Sequence, residues 1–86
     1  MNRELLTYFF NCGDNGIIEF AMLRARLNRR EREVIECLFD ECLTQEETAE
    51  RMGYSVRRVQ QFWYSAADKL LQIPWVKAYS DSLRNY

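Results

Sequence analysis

Histidine is absent, which removes imidazole acid–base chemistry and every histidine-containing metal site. Proline occurs once, as Pro74, so only there can a ring and a missing amide donor break a helix. The three glycines form no glycine-rich phosphate loop. Cysteine is scarce and odd in number: Cys12, Cys37 and Cys42 are irregularly spaced. With no export signal, they are expected as reduced thiols packed in the core of a cytoplasmic protein. No apolar run approaches the roughly 20 residues that cross a bilayer. The segment MNRELLTYFF lacks the apolar stretch and cleavage site of a secretory signal. No membrane partner is expected.

What is present fits one globular domain. The 86 residues are 48% hydrophobic and 29% charged, enough for one modest core that is marginal unless its helices pack well or the chain dimerises. The net charge of −1 argues against a non-specific electrostatic binder of nucleic acid, though a local basic face is compatible with it. Residues 24–32, RARLNRRER, hold five arginines, and residues 31–50 then hold eight acidic side chains.

Helical periodicity recurs along the chain and predicts an all-α fold, a small helical bundle. A first helix over 2–10 places Leu5, Leu6, Phe9 and Phe10 on one side. Asn11–Gly16 reads as a loop. A second helix over Ile17–Leu27 carries Ile17, Phe20, Ala21, Leu23 and Leu27 as its apolar set. Asn28 with Glu31 makes a capping box for a helix from Arg29 to about Asp40, striped by Val34, Ile35, Leu38 and Phe39. Thr44 with Glu47 repeats the box. Gly53 supplies a left-handed turn, and Ser55 caps a long helix seated by Val59, Phe62, Trp63, Ala66, Leu70 and Leu71. Pro74 ends or kinks it, and Trp75–Leu83 forms a final short helix. The domain organisation expected is a single domain over 1–86, with an N-terminal helical extension at 1–26, a central part at 27–71 and a C-terminal helix at 74–86.

Within the central part, residues 44–70 have the layout of a helix-turn-helix, whose second helix enters the major groove of double-stranded DNA by its first turns. Those turns hold Val56, Arg57, Gln60, Gln61 and Tyr64. Arg57 could fork onto guanine or clamp a phosphate; Gln60 or Gln61 could pair with adenine; Val56 could touch a thymine methyl. Thr44, Arg51 and Arg58 are phosphate candidates, and Arg29, Arg30 and Arg32 either extend that surface or pair with Glu33 and Glu36. The bland reading of the same residues is a solvated helix face.

Arg30-Glu31-Arg32-Glu33-Val34-Ile35, Leu43-Thr44-Gln45-Glu46-Glu47-Thr48-Ala49, Met52-Gly53-Tyr54-Ser55, Arg58-Val59, Gln61, Ala67 and Lys69-Leu70 stand in one order and spacing. The stretch from Leu27 to Leu71 thereby resembles region 4 of the bacterial sigma-70 family, over about half of the chain. That resemblance implies binding of the promoter −35 element and of the RNA polymerase flap. By position it puts Val56, Arg57, Gln60 and Gln61 at the bases, Arg58 at the backbone and Thr44 at the cap. The family often has Arg-Glu after the cap, where this chain has Val56-Arg57, and Arg where it has Gln60. A complete sigma factor also carries a polymerase-binding domain that 86 residues cannot hold as well. The resemblance therefore implies a small sigma-like transcription regulator, from a phage or mobile element.

A single helix-turn-helix needs a second contact for useful affinity, from a second copy of the chain or from RNA polymerase. The alternative is a protein-interaction adaptor docking through Leu5, Leu6, Phe9 and Phe10, or through Trp75, Tyr79 and Tyr86, whose bland role is core packing. An enzyme is not expected. Glu46, Glu47 and Glu50 could in principle hold a divalent cation, but capping and solvation explain them more simply. No cofactor and no metal are expected.

Overall fold

The computed structural model describes residues 3–84, and among them the chain is all-α. The helices are α1 (Leu5–Cys12), α2 (Asn15–Arg24), α3 (Arg29–Ile35), α4 (Gln45–Met52), α5 (Val56–Leu71) and α6 (Pro74–Arg84), with a π-helical turn, Glu36–Asp40, continuing α3. None is long and apolar enough to cross a membrane. The chain divides into two compact units: Asn28–Ala66, and Met1–Leu27 together with Ala67–Tyr86.

The unit Asn28–Ala66 starts from its cap. The Asn28 side chain accepts from the Glu31 amide at 2.9 Å, and the Glu31 carboxylate accepts from the Asn28 amide at 2.8 Å, so two donors that a helix start leaves unpaired are satisfied reciprocally. α3 buries Val34 and Ile35. The helix expected to run unbroken to Asp40 instead widens: the Glu41 amide donates to the Glu36 carbonyl at 3.0 Å, a step of five residues rather than four. This wider turn carries Cys37 inward, to 2% exposure. Val34, Ala49 and Val59 form the buried cluster, with Leu38, Met52, Tyr54, Val56, Phe62 and Trp63 packed around it. The Phe39 and Trp63 rings lie 5.4 Å apart, and Tyr54 meets Phe62 edge-on at 5.3 Å.

Thr48 is fully buried, and its hydroxyl has no hydrogen-bond partner among the described residues. An unsatisfied buried hydroxyl costs about 1–3 kcal/mol. Thr48→Val keeps the β-branched shape and removes that cost. It is expected to raise stability by about 1 kcal/mol, read as a higher urea midpoint with an unchanged slope.

The thiols do not all pack in the core: Cys37 is buried, whereas Cys12 and Cys42 are exposed. Burial first, then the Glu41 carboxylate, pushes the Cys37 thiol above its ordinary value, with Arg51 opposing. A thiol reagent is therefore expected to modify Cys12 and Cys42 in the folded chain and Cys37 only on unfolding. Because the folded thiol titrates higher than the unfolded one, its contribution to stability is complete below the unfolded value. It is lost as pH rises through the folded value. An urea midpoint falling on the alkaline side, and falling less in Cys37→Ala, checks the sign.

In the other unit α1 packs along α6. Leu5, Leu6 and Phe9 are buried on α1, Ala67 and Leu70 at the end of α5, and Val76 and Ser80 on α6. The Ser80 hydroxyl is satisfied by the Val76 carbonyl at 2.7 Å. Phe9 meets Tyr79 edge-on at 5.9 Å, and Arg3 forks onto Asp68 with two bonds of 3.2 Å. The expected start of the first helix, residue 2, lies outside the described residues, as does Tyr86.

The boundaries of α2 differ from expectation here, each for a local reason. The loop expected over Asn11–Gly16 shrinks to Gly13 and Asp14, because the Asp14 carboxylate caps α2 through the Gly16 and Ile17 amides at 2.9 and 3.1 Å. α2 accordingly starts at Asn15 and stops at Arg24, its end closed by Arg26 in the left-handed region at φ 57°. Of the two outcomes expected at Pro74, an end and not a kink is found: α5 stops at Leu71 and Pro74 opens α6, since a first helical position needs no amide donor. The apolar set of α2 also differs. Ala21 and Met22 are buried, while Phe20 and Leu23 are 58% and 64% exposed, and Phe20 stacks on Trp75 at 6.0 Å.

Candidate nucleic-acid interface

α4 begins at a second reciprocal cap. The Thr44 hydroxyl accepts from the Glu47 amide at 3.1 Å, and the Glu47 carboxylate accepts from the Thr44 amide at 2.9 Å. Glu46 and Glu47 lie in this first turn, on the favourable side of the helix dipole. α4 ends at Gly53, whose φ of 76° and ψ of 29° lie in the left-handed region. A Cβ there would meet nothing within 4 Å, so backbone conformation, not space, makes glycine suit this turn. The Gly53 and Tyr54 amides both return to the Ala49 carbonyl, at 2.9 and 3.0 Å. Ser55 then caps α5, its hydroxyl accepting from the Arg58 amide at 3.1 Å.

The helical step of about 100° per residue sorts α5 into two faces. Val59 and Ala66 are fully buried, with Phe62 and Trp63 half-buried beside them. Val56, Arg57, Gln60, Gln61 and Tyr64 fall within an arc of about 140°, with Val56 at the edge where the arc meets the seam and packed against the core. Arg57, Gln61 and Tyr64 are exposed; Val56 and Gln60 are half-buried. The first turn of α5 holds no acidic residue, so no carboxylate of that turn offsets the positive end of the helix dipole.

The basic side chains differ in their engagement. Arg57 makes no ion pair or side-chain hydrogen bond among the described residues. The Arg58 guanidinium lies 4.7 Å from the Phe62 ring centre and donates to the Gln61 side-chain oxygen at 3.2 Å. Arg51 is turned onto Glu41 at 2.8 Å, and that hydrogen bond, then the carboxylate's charge, raises the Arg51 pKa further above its ordinary value. Arg30 pairs with Glu33 at 3.2 Å and lies 5.6 Å over the Tyr54 ring. Arg29 and Arg32 line a hollow with Glu33 and Glu36. Thr44 spends a lone pair on its cap and keeps its hydroxyl proton to donate.

Three positions around this surface carry no sequence signal of their role: Phe62 as the platform under Arg58, Gln45 as the partner of Gln60 at 2.9 Å, and Ser65, whose hydroxyl donates to Glu31 at 2.5 Å. The Arg58–Phe62 contact is a neighbouring pair one turn apart on α5, whereas the other two partnerships depend on where two helices cross, which no local pattern encodes.

The family model described as Sigma-70, region 4 matches residues 25–70 of this chain. No curated protein and no solved structure matches it.

Proposed function

Because the chain belongs to the sigma-70 region 4 family, whose members are DNA-binding helix-turn-helix domains, we propose that it regulates transcription by reading double-stranded DNA sequence with α5. The observation that carries this reading is the exposed arc of α5 opposite its buried seam, led by an exposed Arg57 directly after the helix-turn-helix corner, with no ion pair among the described residues. In this reading Val56, Arg57, Gln60, Gln61 and Tyr64 face base edges, and Arg58 and Thr44 hold phosphates. Arg51 would first exchange Glu41 for a phosphate, and Arg29, Arg30 and Arg32 add charge along the backbone. The family is associated in general with RNA polymerase, so polymerase or a second copy of the chain supplies the further contact.

The test is selection from a random double-stranded DNA library at fixed, moderate salt. One enriched motif is the expected result. An inverted repeat in that motif assigns the second contact to another copy; a single half-site assigns it to polymerase. A folded chain that enriches no motif and binds no DNA overturns the reading. The exposed, stacked Phe20–Trp75 pair favours a second one, a polymerase-docking module without DNA readout. Loss of polymerase capture in Phe20→Ala, with Arg57→Ala indifferent, would support it.

A further inference from the structure

Gln60 is already held before any DNA arrives: its side-chain amide donates to the Gln45 side-chain oxygen at 2.9 Å, across the corner from the first turn of α4 to the second turn of α5. We propose that Gln45 is a positioning residue that presents Gln60 to adenine, and so sets base preference without touching a base. The inference rests on α5 being the DNA-reading helix.

The chemistry of the amide supports it. A glutamine carries two N–H donors and an oxygen acceptor. One donor is spent on Gln45, which leaves one donor and the oxygen, the pair that matches adenine N7 and the adenine N6 amino group in the major groove. The neighbouring Gln61 has one of its oxygen's two lone pairs engaged by Arg58 at 3.2 Å, and its amide is not tethered to α4 as that of Gln60 is. The second argument is entropic. A free glutamine loses much of its rotamer freedom when a base fixes it, whereas a tethered one has lost part of it on folding.

The probe is the duplex enriched by the parent chain, with each base pair of its motif changed in turn. Gln60→Ala is expected to abolish discrimination at one A·T pair. Gln45→Ala is expected to lower discrimination at that same pair by about three- to tenfold, with thermal midpoint and the other pairs unchanged. Gln45→Glu keeps the acceptor for the Gln60 amide, so it is expected to retain the preference while weakening affinity for every duplex through its added charge. The double variant should discriminate no worse than Gln60→Ala.

The positioning role is overturned if Gln60→Ala removes the preference and Gln45→Ala does not. It is equally overturned if Gln45→Ala weakens all duplexes uniformly, which marks a phosphate or structural role. A parent that enriches no duplex overturns this inference together with its premise.

Discussion

Arg57→Ala is expected to weaken binding to the selected duplex by about 5- to 150-fold, the equivalent of about 1–3 kcal/mol for one bidentate base contact. Two features make this the largest single effect on binding. Arg57 is exposed on the first turn of α5, and it has no intramolecular carboxylate to give up among the described residues. Arg51, by contrast, must first leave Glu41, with which it makes a 2.8 Å ion pair. The pattern of the loss separates the two roles open to Arg57. If it reads guanine, the penalty concentrates at one base pair and the preference there relaxes. If it clamps phosphate, every duplex weakens alike and the salt slope falls by about one unit. The fold should be unaffected, because the side chain is exposed. Unchanged affinity and salt slope in a folded Arg57→Ala would remove α5 from the interface.

Glu31→Ala is expected to be the most destabilising exchange in the unit Asn28–Ala66, at about 2–4 kcal/mol. Glu31 is 1% exposed, which is tolerable only because its carboxylate is satisfied on both oxygens. One accepts from the Asn28 amide at 2.8 Å and the other from the Ser65 hydroxyl at 2.5 Å. Alanine leaves both donors without their acceptor, undoes half of the capping box and opens a void beneath α5. For a domain of this size the loss corresponds to a thermal midpoint lower by about 10–30 °C. Ser65→Ala removes one of these bonds and should cost about 1–2 kcal/mol. Glu31→Gln keeps an acceptor for Asn28, and the Ser65 hydroxyl can rotate to accept from the new amide, so its cost should fall between. A Glu31→Ala chain as stable as the parent would mean that the buried carboxylate costs as much to desolvate as its bonds return.

The same residue shows how far the sequence is legible. Glu31 stands three positions after Asn28, and Glu47 three after Thr44, so both capping boxes follow from spacing alone. Gly53 and Ser55 mark the corner and the second cap for the same reason: each rests on backbone groups no more than a few residues away. The buried seam of α5, through Val59, Ala66 and Leu70, follows from helical period. The family resemblance added the expectation of a sigma region 4 helix-turn-helix, which the match over residues 25–70 bears out.

Beyond that reach the sequence misdirects or falls silent. Phe20 and Leu23 look like core residues of α2, but hydrophobicity does not say which face has a neighbour, and the small Ala21 with Met22 takes the buried side. The π-helical turn after α3 was not legible either, since no residue in Glu36–Asp40 forbids an ordinary α-turn.

By itself the sequence determined the helical class, the caps at Asn28, Thr44 and Ser55, the corner at Gly53 and the placement of Arg57 on an outward arc, because all of these are set by interactions within one or two turns. Only the tertiary structure decided that Glu31 reaches Ser65 and that Gln45 holds Gln60. Those pairings depend on how closely helices pack and which side chains meet there, and that geometry exists only once the core around Val34, Ala49 and Val59 has closed.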